Sequence, residues 1–170
     1  MELKTDIRNK IFIFLVVIVH STYLQANKIS NDTMYVFTER YEGIIFGKNF
    51  PINLIDNKKN RWNPSREDVE QAELLLQAFV IKQAKKKGLV NQVGDCPVIH
   101  ASMNKYLRQY IGTINEKGDK ILEINFLWKY GIFPEWKTHL IKVLDGCSFY
   151  WSVKVNLSKK KCFDYLINGF

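Results

Sequence analysis

The segment from Ser65 to Gly88 constrains the fold most, because it is the only part of the sequence that can form a long helix. The Ser65 hydroxyl can accept a hydrogen bond from a first-turn amide, and Glu67 and Asp68 lie at the positive end of the helix dipole. Apolar residues recur at helical spacing along the segment: Val69, Ala72, Leu75, Leu76, Phe79 and Val80. The pattern predicts a helix over residues 66–87 with one buried face.

After this helix, apolar and polar residues alternate with the period of two that is typical of β-strands. The predicted strands are residues 106–114, 121–128, 138–144, 147–156 and 162–167. The pair Asp145-Gly146 is a two-residue hairpin signal, and it predicts that residues 138–144 and 147–156 form adjacent antiparallel strands. One further strand is expected before the helix, within the apolar pieces at residues 34–37, 44–46 and 52–55.

This order of elements predicts an α+β fold, in which one long helix is wrapped by a curled antiparallel meander sheet. The predicted order up to residue 156 is β-α-β-β-β-β, and a last strand at residues 162–167 closes the chain. The core is expected to lie between the apolar stripe of the helix and the apolar face of the strand at 147–156, where Trp151 is the largest side chain.

The first residues have the features of an export signal, with a basic start through Lys10 followed by an apolar run over residues 11–19. These nine residues are too few to span a bilayer, which needs about 20. Residues 1–26 are therefore predicted to be a signal peptide, cleaved after Ser21 or Ala26, and an uncleaved anchor is the alternative. Residues 27–170 would then form a single secreted or periplasmic domain with no stable membrane span.

The formal net charge is +8, but the basic residues are spread along the chain. Lysines cluster only at residues 82–87 and 159–161, without the interleaved aromatic residues of nucleic-acid binders. Sequence-specific binding of nucleic acid is therefore not expected. The lysines at 82–87 are either a phosphate-binding patch or a solvated group that matches the negative end of the helix dipole, and the sequence favours the second interpretation.

The three cysteines, Cys96, Cys147 and Cys162, leave at least one thiol unpaired within a single chain, so no disulfide framework is predicted. On the strand assignment, Cys147 and Cys162 lie at opposite ends of one hairpin, which argues against a bridge between them. The sequence has no Cys-x-x-Cys motif, and only His100 and His139 lie outside the signal. We therefore expect no metal site and no cofactor.

The order of elements resembles that of the cystatin-like superfamily. A closer resemblance is carried by six short segments, at residues 61–65, 67–73, 108–112, 124–126, 143–146 and 168–169, with the sequences RWNPS, EDVEQAE, RQYIG, INF, VLDG and NG. Through these segments the chain resembles small exported proteins of unknown function from Bacteroidetes-type bacteria, over roughly residues 44–170. The resemblance implies a cystatin-like fold and no established activity.

True cystatins inhibit papain-like cysteine proteases with an amino-terminal segment and two hairpin loops, the first of which reads Gln-x-Val-x-Gly. The nearest match here, from Gln109 to Gly112, is one residue short and lies within a predicted strand. The Pro-Trp of the second loop resembles Pro134-Glu135-Trp136, which a glutamate splits. Protease inhibition is therefore only a fold-level analogy.

No set of residues predicts catalysis. Cys96 and His100 would form a nucleophile and base on paper, but a packed or solvated pair is the commoner arrangement for such residues. Arg108, Tyr110 and Asn125 are expected to line one sheet face, either as a polar patch for a ligand or as an outer face in water.

Two functions from different classes remain. The first is a non-catalytic module that binds or inhibits an extracytoplasmic protein, with Phe133 and Trp136 as candidate partner-binding residues on the loop at 129–136. The second is a small-ligand pocket protein or enzyme that uses the cleft between helix and sheet. For the loop, the alternative is that both aromatic residues fold back to cap the core.

Overall fold

The computed structural model describes residues 32–52, 60–86, 94–131 and 133–168. These ranges contain one α-helix, α1, at Arg66–Ala84. They also contain seven strands, namely β1 Thr33–Phe37, β2 Glu42–Phe46, β3 Asn60–Trp62, β4 Tyr106–Ile114, β5 Lys120–Trp128, β6 Tyr150–Asn156 and β7 Lys161–Ile167. Three short 3₁₀ turns lie at Ile99–Ala101, Met103–Lys105 and Cys147–Phe149. The fold is thus α+β, as the sequence predicts.

The strands form one open, mostly antiparallel sheet in the order β1-β2-β4-β5-β6-β7, and the short β3 also pairs with β4. The exception is β2, which pairs in parallel with β4, with Glu42 opposite Leu107 and Phe46 opposite Ile111. β3 continues along the same edge of β4, antiparallel to it, with Trp62 opposite Gly112. The outermost strands are β1 and β7.

The helix begins where the sequence predicts and ends three residues earlier. Ser65 accepts from the amide of Asp68, and the Asp68 carboxylate accepts from the amide of Ser65 in return, which is a complete capping box. The helix ends at Ala84, and the amide of Lys86 donates to the carbonyl of Gln83 over 2.9 Å. Gly88, the expected stop signal, lies outside the described residues.

The main core lies between this helix and one face of the sheet. From α1 it receives Val69, Ala72, Leu76 and Val80, all buried. From the sheet it receives the buried side chains of Tyr106, Tyr110, Leu122, Ile124, Phe126, Trp151, Val153 and Val155. The predicted facing of the strand around Trp151 is therefore confirmed, and Trp151 is stacked on Phe126 with ring centroids 3.6 Å apart.

The order of elements differs from the predicted β-α-β-β-β-β, because three strands precede the helix instead of one. Both apolar pieces at residues 34–37 and 44–46 lie in strands, and they form a hairpin in which Phe37 is opposite Glu42. Short-range patterns do not indicate that β2 then pairs in parallel with β4, in which each partner lies 65 residues further along the chain, as Leu107 does from Glu42. Residues 53–55 of the third apolar piece lie outside the described residues.

The predicted strand at residues 138–144 is wrong, because this segment has no strand neighbour in the described structure. β5 pairs directly with β6, with Phe126 opposite Trp151. The predicted hairpin turn at Asp145-Gly146 is also wrong. Gly146 has a left-handed backbone, with φ of 91°, and it precedes the 3₁₀ turn Cys147–Phe149, so the next strand begins only at Tyr150.

A disulfide joins Cys96 to Cys147 across 51 residues, a bridge that the sequence did not predict. Cys162 is the unpaired thiol that the odd number of cysteines predicts. Because Cys147 is bonded to Cys96, the prediction that Cys147 and Cys162 are not bridged is confirmed. Burial raises the pKa of the Cys162 thiol to about 11.

The predicted signal at residues 1–26, with cleavage after Ser21 or Ala26, lies outside the described residues and stays a prediction. Among the helices in the described ranges, none has the length and apolar character needed to cross a membrane.

Candidate functional site

A buried ion pair lies between the helix and the sheet. Glu73 is on the inward face of α1 and Arg108 is on β4, and they are only 9% and 1% exposed. Arg108 Nε donates to Glu73 Oε1 over 3.0 Å. Tyr110 Oη donates to the same oxygen over 2.7 Å, and burial together with the Glu73 charge raises the pKa of Tyr110 well above its usual value. These contacts satisfy one oxygen of the buried carboxylate.

The guanidinium of Arg108 is held on several sides. Its Nη1 donates to the carbonyl of Tyr106 over 2.7 Å. Its central carbon lies 5.4 Å from the ring centroid of Phe126 and 5.7 Å from that of Tyr41. The described residues offer no hydrogen-bond partner to Arg108 Nη2, to Glu73 Oε2 or to the Tyr41 hydroxyl. Arg108 is therefore positioned firmly and keeps one nitrogen available as a donor.

A cavity of about 360 Å³ adjoins this pair. Its buried lining includes Tyr41, Glu73, Val80 and Arg108. Its other lining residues include the half-buried Met103 and the exposed side chains of Arg40, Gln77, Ile81, His100 and Asn104. The cavity thus combines a buried ion pair with an apolar wall, which is the composition expected of a small-ligand site.

The predicted polar patch of Arg108, Tyr110 and Asn125 does not form. Arg108 and Tyr110 point toward the helix, opposite Phe126 and Ile124 of β5, whereas Asn125 is opposite Gln109 on the other face of the sheet. Strand alternation places residues 108 and 110 on one face and Gln109 on the other, so the register separates the three predicted residues.

Sequence reasoning missed Glu73. The position of Glu73 in the sequence could have indicated its burial. Glu73 is the one charged residue on the buried stripe of α1, four residues after Val69 and three before Leu76. Nothing local indicated that Arg108, 35 residues away, would neutralise it.

On the opposite face, the sheet is covered by the segment at residues 133–143, which polar side chains of the sheet hold in place. Gln109 is fully buried, and its Nε2 donates to the carbonyls of Trp136 and His139, each over 2.6 Å. Its Oε1 accepts from the amide of Ile141, and Asn125 Nδ2 donates to the carbonyl of Ile141. Side chains thus satisfy the backbone groups that a neighbouring strand would otherwise bind, which explains why residues 138–144 form no strand.

The two candidate partner-binding residues lie on this segment. Trp136 is only 8% exposed, and it belongs to a second hydrophobic cluster with Ile44, Phe46, Leu107, Ile111 and Leu127. Phe133 is half-buried, and its ring contacts that of Tyr150 in a T-shaped geometry with centroids 5.6 Å apart. This placement matches the alternative in which both aromatic residues fold back to cap the core. Their role in partner binding stays a prediction.

Next to Trp136, the edge strand β1 exposes large apolar side chains. Tyr35 and Phe37 share one face of the strand and are 40% and 64% exposed. The Tyr35 ring lies 6.5 Å from that of Trp136, and Lys137 Nζ lies 4.4 Å from the Tyr35 centroid. The buried tryptophan therefore supports an exposed aromatic edge.

Two further grooves, of about 730 and 340 Å³, lie on the same outer face of the sheet, toward β6 and β7. The charged groups there are largely paired with one another. Lys154 Nζ lies 2.8 Å from Asp164 Oδ2, and Lys159 Nζ lies 2.6 Å from Asp119 Oδ2. The hydrogen bond from Lys159, followed by those from Asn115 and Asn156, lowers the pKa of Asp119 to about 2.

The short match to the cystatin loop is internal. Residues 109–112 lie within β4, and Gly112 leaves room for the backbone of β3, because a Cβ there would lie 2.6 Å from the Trp62 carbonyl oxygen. This segment is therefore not a protruding inhibitory loop.

Cys96 and His100 cannot act as the nucleophile and base that were considered from the sequence. Cys96 is bonded to Cys147, so its sulfur is not the thiolate that a nucleophile requires. Within the described ranges, no group of three or more His, Cys, Asp and Glu residues has the arrangement of a metal site.

Comparison of the chain with protein-family models, with curated proteins and with solved structures gives no match.

Proposed function

We propose that this protein is an exported, non-catalytic module that binds an extended segment of another protein along β1. The observation that carries the proposal is the pair of exposed aromatic side chains, Tyr35 and Phe37, on an edge strand of the sheet. Natural sheets usually protect such an edge with charge, proline or a covering loop, because an exposed apolar edge pairs readily with other chains. An edge kept exposed and aromatic is thus suited to binding.

The backbone of β1 has groups available for a new strand. The amide of Thr38 donates to the carbonyl of Tyr41, so these two residues form a hydrogen-bonded pair at the hairpin end. Hydrogen-bonded and non-hydrogen-bonded pairs alternate in an antiparallel ladder, so the next pair, Phe37 opposite Glu42, is not hydrogen-bonded. The backbone groups of Phe37, and two residues earlier those of Tyr35, therefore point away from β2. Arg66 Nη2 already binds the Tyr35 carbonyl. A partner strand would bind the remaining outward groups, as in β-strand addition.

The charges around this edge favour an acidic partner. Lys137 lies over the Tyr35 ring, Arg66 binds the strand backbone, and the whole chain carries a formal charge of +8. Glu42 is engaged by Lys129 Nζ at 2.8 Å and by the Tyr35 hydroxyl at 2.9 Å. We therefore propose a partner segment that alternates apolar residues with Asp or Glu.

We propose a cystatin-like scaffold in which the sheet curls around α1. We also propose that the chain is related to the small exported Bacteroidetes-type proteins that it resembles. Support comes from the helix followed by the antiparallel run β4 to β7. The secreted or periplasmic location is equally a proposal. Expression with its own amino terminus in a Gram-negative host should give a product outside the cytoplasm that lacks 21 or 26 residues, and an intact cytosolic product would contradict it.

A pulldown from the cell envelope fraction, with the tagged full-length protein as bait, tests the binding proposal. The parent should retain one stoichiometric protein, and Phe37→Ser should reduce its recovery at least tenfold, because exposed aromatic residues on a rigid support carry much of an interface's energy. Leu166→Ser is the matched control, since Leu166 is 62% exposed on β7, the opposite edge strand.

The captured partner should also slow amide hydrogen exchange at Tyr35 and Phe37. Equal recovery by Phe37→Ser and the parent, or equal loss with Leu166→Ser, would refute a site on β1. Recovery of a small ligand without any stoichiometric protein would refute the binding-module function. Papain titrated with the protein should keep its activity, because residues 109–112 are inside the sheet.

A further inference from the structure

We propose that the cavity beside Glu73 and Arg108 binds a small neutral molecule through a carboxamide group. This inference does not depend on partner binding at β1, since the cavity lies against the helix-facing side of the sheet. The cleft between helix and sheet would then bind neutral ligands that carry a carboxamide.

The hydrogen-bonding groups of the cavity call for a donor and an acceptor in one ligand. Arg108 is 1% exposed and keeps Nη2 as a donor, and Glu73 is 9% exposed and keeps Oε2 as an acceptor. Both residues line the cavity and neither of these two atoms is sealed from solvent, so a ligand or an ordered water can reach both. A carboxamide presents a carbonyl oxygen and an N–H side by side, which matches both.

The charges of the lining favour a neutral ligand. Glu39 and Glu73 carry two negative charges, and Arg40 and Arg108 carry two positive ones. A carboxylate would accept from Arg108 but meet the Glu73 carboxylate, and an ammonium would meet the opposite conflict with Arg108. Both ions would also lose hydration on entering, whereas a carboxamide loses much less.

The remaining lining suits an apolar body attached to the amide. Val80, Ile81 and Met103 line the cavity, and its volume of about 360 Å³ is within the range of small-molecule sites. Methionine adapts its shape to different ligands and contacts aromatic rings favourably. A single substituted ring of benzamide size therefore fits this wall.

Three probes of similar size, each with one benzene ring, test the proposal: benzamide, benzoate and benzylamine. Each is titrated at pH 7 into ¹⁵N-labelled full-length protein, with the amide resonances of Ala101 and Met103 and the Nε–H of Arg108 as reporters. Benzamide should shift these resonances, with a dissociation constant at least tenfold lower than that of either ion. Binding of benzoate or benzylamine as tight as that of benzamide would overturn the proposed chemistry.

A blocking variant locates the site without disturbing the buried ion pair. Ala101 is an exposed lining residue, and Ala101→Trp should weaken benzamide binding at least tenfold. Ala78→Trp is the matched control, because Ala78 is an exposed helix residue outside the lining, and it should bind like the parent. Both variants are first shown to melt cooperatively. Equal binding by Ala101→Trp and the parent, or no benzamide shift at all, would show that the cavity holds water only.

Discussion

Removal of the Arg108 guanidinium alone is expected to destabilise the protein by about 3–5 kcal/mol. Arg108→Met keeps much of the side-chain volume but leaves the Glu73 carboxylate buried without a cation, since the two groups are 1% and 9% exposed. The double variant Arg108→Met with Glu73→Leu should recover most of this loss. Replacement of both members of a buried pair by apolar residues is often neutral or stabilising by about 1–4 kcal/mol.

Urea unfolding at pH 7 measures the effect, and Lys154→Met is the matched control. Lys154 makes a comparable contact with Asp164 at 2.8 Å, but the two side chains are 30% and 50% exposed. That substitution should cost less than about 1 kcal/mol. If Arg108→Met costs as little as Lys154→Met, or if the double variant is less stable than Arg108→Met, the argument that the buried carboxylate depends on Arg108 is refuted.

Trp151→Ala should cost about 3–5 kcal/mol, because a fully buried ring stacked on Phe126 is lost, and a melting temperature within a degree or two of the parent would contradict the packing. The double variant Cys96→Ala with Cys147→Ala should lower the unfolding free energy by about 4 kcal/mol, because the bridge closes a 51-residue loop in the unfolded chain. Reductant should change the stability of this variant no further. Iodoacetamide should label Cys162 slowly at pH 8 and faster as the pH approaches its pKa of about 11, so rapid labelling of the folded protein at pH 8 would contradict its burial.

The sequence by itself determined the elements whose energy comes from neighbouring residues. The start of α1 follows from the mutual hydrogen bonds of Ser65 and Asp68, three residues apart. The β4–β5 hairpin follows from alternation and from a turn in which Asn115 Oδ1 accepts from the amides of Lys117 and Asp119. Such contacts have the same geometry in any fold, which is why the prediction of these elements is confirmed.

Only the tertiary structure decided how distant segments meet. Residues 138–144 alternate like a strand, but Gln109 and Asn125 bind their backbone, and β6 pairs with β5 instead. The candidate cavity arises in the same way, because Glu73 has a specific role only when the register of β4 turns Arg108 toward α1. A one-residue shift in that register would move Arg108 to the other face. Sequence patterns show which face of each element is apolar, whereas competition among all elements for the same surfaces determines which buried charges are paired.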